Sequence, residues 1–167
     1  MCIDYEKLIE DLGDILEYTD YRPVELCEEL LYRYGEYRSN ITVYHGAFGH
    51  TENEVMENYS GLISCSYDIS VAKSFAGVSI REDGSFTTIF EVHADNVLCL
   101  DIQYLLCKCA ENMPDNTYIR YLVDSYFDEC EILLYFDDIK QDIKFMNRNE
   151  IELAIEKINN KSIYECN

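Results

Sequence analysis

Two glutamates one residue apart, Glu129 and Glu131, sit in the run Asp128-Glu129-Cys130-Glu131-Ile132-Leu133-Leu134-Tyr135-Phe136. If the run is a strand, its alternation puts Cys130, Ile132, Leu134 and Phe136 on a core face and both carboxylates on the other. Like charges that close repel, which costs stability unless a cation or a substrate lies between them. The bland alternative is a solvated strand face in an acidic protein. Two more short segments carry candidate chemistry. In Tyr44-His45-Gly46, a histidine at a strand end could donate to a sugar hydroxyl while the glycine lets backbone approach a planar ligand; it could equally be a histidine in a turn. In Gly61-Leu62-Ile63-Ser64-Cys65-Ser66-Tyr67-Asp68, alternation puts Ser64 and Ser66 on one face, lining a cleft or the wet side of an edge strand.

The elements that must position these residues can be read from periodicity. Leu8, Leu12, Ile15 and Leu16 predict a helix over 3–18. Pro23 fits the first turn of a second helix with Leu26, Leu30, Leu31 and Tyr34 on one face, ending near Gly35. Short β-rich runs predict strands at 41–46, 62–66, 86–92, 97–100, 130–136 and 142–147. Between them, helices are expected over 68–76, over 102–111 behind an Asp101 N-cap, and from Asp115 or Asn116 to about 127. A last helix is expected over 149–160. Helices first, then strands broken by helices, with no repeat and no linker, predict one α+β domain over 1–167: a helical segment over 1–38, a core over 41–147 and the terminal helix.

Composition excludes several function classes. The 167 residues carry 13 Lys and Arg against 33 Asp and Glu, a net charge of −20. All of that excess lies in residues 1–138, since 139–167 hold five of each sign. Such a chain has no general attraction for nucleic-acid phosphates or an anionic membrane surface. With 48% hydrophobic and 13% aromatic residues, it can still bury a core. Neither a basic start with an apolar run nor a stretch of about 18 apolar residues is present, so a cytoplasmic location is expected. The eight cysteines lack metal-ligand spacing, the one close pair being Cys107 and Cys109, so reduced thiols and no metal are expected.

Taken together, in this order and spacing, the three motifs resemble the skeleton of the ADP-ribosyltransferase fold over roughly residues 41–146. Ser64-Cys65-Ser66 resembles its S-T-S element, and Val71-Ala72-Lys73-Ser74-Phe75-Ala76 the helix after it. Glu129-Cys130-Glu131-Ile132-Leu133-Leu134 resembles the E-x-E strand. His45 stands where members with these motifs usually carry arginine. His followed by Gly is closer to the poly-ADP-ribosyltransferase and diphtheria-toxin branch, which has tyrosines near the position of Ser64.

The resemblance implies a split β-sheet core with N-terminal helices, NAD as co-substrate, and transfer of ADP-ribose to a protein side chain. Glu131 would stabilise the positive charge on the ribose and Glu129 would orient the acceptor, with arginine favoured. Ser64 would bond the nicotinamide ribose and orient Glu131. His45 would contact the adenosine ribose, Gly46 would offer its backbone to the nicotinamide amide, Ser66 would line the NAD site, and Tyr67 or Phe75 would stack near the nicotinamide. Lys73 and Arg81 are candidates for the pyrophosphate. The expected partner is a protein acceptor with a basic, nucleic-acid-binding surface, for an intracellular effector of the kind viruses or phages carry against host defences. Two other readings stand beside this one: an NAD glycohydrolase, with water as acceptor, and a non-catalytic acidic protein that imitates nucleic acid and blocks a basic groove.

Overall fold

The computed structural model describes residues 3–18, 22–49, 61–76, 86–136 and 143–164. Two helices lead, α1 (Tyr5–Leu16) and α2 (Val24–Tyr34), followed by strands β1 (Glu36–Arg38), β2 (Ile41–Gly49) and β3 (Gly61–Ser66). Helix α3 (Ile69–Ala76) follows β3, then β4 (Phe86–Ala94) and β5 (Val97–Asp101). Helices α4 (Ile102–Asn112) and α5 (Thr117–Tyr126) run into a single 3₁₀ turn at Phe127–Glu129. Strands β6 (Glu131–Phe136) and β7 (Ile143–Met146) and helix α6 (Arg148–Tyr164) complete the order. The architecture is mixed α+β, and every strand pair in the sheet is antiparallel.

Local chemistry explains the boundaries. Asp4, Asp101 and Asn116 cap α1, α4 and α5, each side chain accepting backbone N–H bonds that the first turn leaves unpaired. Asn147 and Glu150 form a reciprocal capping box at α6, with bonds of 3.1 and 2.9 Å. Pro23 stands at the N-cap of α2, one place outside the helix. The strand at Glu36–Arg38 lies inside the segment expected to be helical; once Gly35 ends α2, Glu36, Tyr37 and Arg38 pair with Cys99, Leu98 and Val97 of β5.

The strand order is β1-β5-β6-β3-β2-β4-β7. β2 pairs with β4 along nine positions and β3 with β6 along six, but β2 meets β3 only at Tyr44 opposite Ser66. The sheet is therefore parted between β3 and β2 beyond that one bridge. One face of the β6 half is covered by α1, α2, α4 and α5, which bury Leu8, Leu12, Leu30, Leu106 and Leu122 with Leu100 and Leu133. A second cluster joins both halves through Val43, Phe90, Ile63, Ile132 and Leu134. A third lies where α3 and α6 cover β4, around Ile69, Ala76 and Ile89. Because β6 is covered on both faces, Glu131, Ile132, Leu133 and Leu134 are all buried, so the expected alternation of wet and dry faces fails there. No helix among the described residues is long and apolar enough to cross a membrane.

Candidate active site

The parting of the sheet opens a cleft of about 340 Å³, lined by Tyr44, His45 and Gly46 of β2 and Ser64, Cys65 and Ser66 of β3. Ala72 and Phe75 of α3, Glu129 and Glu131 around the start of β6, and Arg22 ahead of α2 complete the wall. Its volume is in the range of small-molecule sites.

Glu131 opens β6 opposite Ser66, and its side chain is only 7% exposed. A carboxylate buried this far needs partners. Ser64 donates its hydroxyl to Oε1, and the Arg22 guanidinium grips both oxygens, Nη1 on Oε1 and Nη2 on Oε2, the latter at 3.1 Å. Arg22 Nε donates to the Ile15 carbonyl at 3.1 Å, so the guanidinium also caps the C-terminal end of α1. Glu131 is thus held from a strand on one side and from the helical segment on the other.

Glu129 is different. It ends the 3₁₀ turn, and among the described residues no group hydrogen-bonds its carboxylate. Burial, and then the charge of Glu131, push its carboxyl above the ordinary carboxylate range, with Arg22 opposing. Between the two glutamates Cys130 adopts a left-handed backbone, φ 49°, where a Cβ is unfavourable. Strand alternation therefore begins only at Glu131, and this kink together with the 3₁₀ turn brings Glu129 to the same cleft. Gln103 donates to the Phe127 carbonyl at 3.2 Å and to Cys130 Sγ at 3.5 Å, supporting the kink from α4.

The two serines divide their tasks. Ser64 faces the cleft. Ser66 is buried, donating to the Glu129 carbonyl at 2.7 Å and accepting from Asp68 N–H at 3.0 Å, so it ties the glutamate turn to the start of α3. His45 bridges the parting of the sheet: its Nδ1 bonds the Ser64 carbonyl, which can only accept, so Nδ1 carries the proton. Burial lowers its pKa, which keeps the ring neutral at pH 7, and Phe90 packs against it with ring centroids 4.8 Å apart. At Gly46 a Cβ would run into the Ala72 carbonyl oxygen and stand 2.9 Å from Ala76 N. The glycine thus serves the close packing of α3 on β2 as well as lining the cleft. Phe75 is 65% exposed at the rim, its ring open to a stacking partner. The Cys65 thiol is pushed far up by burial and by Glu131, so it stays protonated and is no nucleophile.

Two expectations are corrected by placement. Tyr67 does not line the cleft: its hydroxyl accepts from Arg38 Nη1 at 2.7 Å, beside the 2.7 Å ion pair of Arg38 with Asp101, because the chain turns away after Ser66. Lys73 is also outside the lining, since α3 presents Ala72 and Phe75 to the cleft. Arg81 lies outside the described residues. Among the described residues that line the cleft, the cation is Arg22, which sequence reasoning missed. Lying in a connection ahead of Pro23, it shows no local periodicity, and the partner that reveals its role is 109 residues away. Comparison with known proteins returns no matching family model, no matching curated protein and no matching solved structure.

Proposed function

We propose that this cleft cleaves the nicotinamide–ribose bond of NAD and transfers ADP-ribose to a protein side chain, arginine favoured, within an ADP-ribosyltransferase-like fold. The observation that carries the reading is the pairing of a buried carboxylate held by Ser64 and Arg22 with a second carboxylate in the same cleft that no group among the described residues hydrogen-bonds. The NAD supplies an electrophilic ribose carbon with nicotinamide as leaving group.

The residues divide the work as that chemistry needs. Breaking a glycosidic bond develops positive charge on the sugar, and Glu131 offers a preorganised negative charge on a side chain that is itself largely shielded from water. Ser64 keeps one of its oxygens aimed. Glu129, which accepts no hydrogen bond from the described residues, receives the acceptor. A guanidinium arrives charged, and an adjacent carboxylate both attracts it and can take its proton. Phe75 offers a ring face for the planar nicotinamide, and His45 offers a neutral imidazole for a sugar hydroxyl.

Incubation with labelled NAD and a cell lysate tests the reading. Wild type should release nicotinamide and label protein; Glu131→Gln should lose both by about 10²-fold or more, the scale of deleting one electrostatic stabiliser. Glu129→Gln should lose protein labelling while retaining most nicotinamide release. No release by wild type in any extract would sink the proposal. Labelling that persists in Glu131→Gln would move the catalytic role elsewhere. Nicotinamide release with no labelled protein in any extract would make the activity an NAD glycohydrolase.

The net charge of −20 favours a second reading, an acidic nucleic-acid mimic that blocks a basic groove. It requires that Glu131→Gln bind and inhibit its target as well as wild type does.

A further inference from the structure

We propose that Arg22 receives the pyrophosphate of the dinucleotide while keeping its hold on Glu131, so that one guanidinium positions the catalytic carboxylate and anchors the substrate. This rests on the NAD reading above. Among the described residues lining the cleft, Arg22 is the one Lys or Arg, and it faces two glutamates. A ligand that brings two further negative charges needs a cation there. His45, at the position where the resembling family usually carries arginine, is a half-buried imidazole whose pKa is lowered by desolvation, and it does not supply one.

Donor arithmetic makes the double role workable. A guanidinium has five N–H donors in a rigid planar fork. Here Nε is spent on Ile15, and Nη1 and Nη2 each give one bond to Glu131. Two N–H groups remain, on a side chain that is 30% exposed at the cleft wall. They can take phosphate oxygens without releasing the carboxylate. The bond to Ile15 fixes the guanidinium against the end of α1, so the site is built rather than carried on a loose side chain. A consequence for the substrate follows from covalent geometry. The nicotinamide ribose is attached directly to the pyrophosphate, so a phosphate seated on Arg22 brings that sugar to the carboxylate Arg22 already holds.

Calorimetric binding of ADP-ribose, which carries the pyrophosphate and cannot react, tests this alongside nicotinamide release from NAD; adenosine is the pyrophosphate-free control. ADP-ribose affinity should fall about tenfold or more in Arg22→Gln, with a smaller loss in Arg22→Lys, which keeps the charge without the fork. The salt dependence of ADP-ribose binding should also be shallower in Arg22→Gln, and adenosine binding should stay within about twofold of wild type. Arg22→Gln binding ADP-ribose within about twofold of wild type overturns the inference and leaves the NAD reading standing. So does an equal loss of adenosine and ADP-ribose, which would mark a structural role. Wild type that neither binds ADP-ribose nor releases nicotinamide overturns both.

Discussion

Glu129 and Glu131 lie two residues apart in one chain segment, yet their surroundings give them opposite characters. Glu131 is held by Ser64 and Arg22, whereas Glu129 is half-buried, accepts no hydrogen bond from the described residues, and has its carboxyl raised by burial and by its neighbour against the opposing charge of Arg22. An acid whose folded-state pKa lies above its unfolded value binds its proton more tightly when folded. Stability therefore falls as pH rises through the window between the ordinary carboxylate value and the raised one, and the cost is complete above it. Glu129→Gln should accordingly raise Tm at pH 7, with the gain vanishing below the ordinary carboxylate range, where the group is protonated in both states. Thermal melts at several pH values check this; an unchanged or lower Tm at pH 7 would refute it. The same raised value sets a limit on activity. If ionised Glu129 accepts the acceptor's proton, transfer should fail on acidification earlier than an ordinary carboxylate would allow, while nicotinamide release persists.

Among the elements, α3 matters through how closely it lies on β2. Ala72 and Ala76 are buried on its inner face, and Gly46 has no Cβ to hold the helix off. That approach also brings Phe75 to the rim and sets the width of the cleft. Because the colliding atoms are backbone, side-chain rotation cannot relieve an added methyl. Gly46→Ala should therefore destabilise by about 1–3 kcal/mol and widen the cleft, seen as a lower urea midpoint and weaker ADP-ribose binding. Ala at 46 with wild-type stability would show that α3 shifts freely. Cys130 is the other element-scale device: its left-handed turn, tied to α4 through Gln103, is what aims two glutamates at one cleft.

Over the whole molecule, a sheet in which β2 and β3 meet at a single bridge provides the cleft, and the chain carries a net charge of −20. Within the cleft, Arg22 pairs with one of the two carboxylates. A docking partner with a basic surface would be attracted over several ångströms and slowed by salt. Labelling of such an acceptor should drop severalfold between low and physiological ionic strength, through association rather than turnover. Nicotinamide release without acceptor should change much less. Equal salt dependence of the two would refute a charge-steered acceptor.

Much of the fold was legible in the chain because its cues are local. The Asp101 cap, the helical spacing of Leu8, Leu12 and Ile15, and the β-branched run around Ile89 each place an element within a few residues of where it lies. The strand at Glu36–Arg38 was not legible, since three exposed or half-buried residues have no pattern and pair only because β5 offers a free edge. The candidate site divides in the same way. Ser64, Ser66, Glu129 and Glu131 stand out by type and spacing, and the structure gathers them with His45, Gly46 and Phe75. Sequence alone thus determined the elements, the acidic charge and the chemically unusual residues, because these follow from neighbours along the chain. Only the tertiary structure decided that Tyr67 belongs to Arg38 and that Arg22 belongs to Glu131. Those pairings depend on which groups burial leaves in need of a partner, and the partner comes from distant parts of the chain.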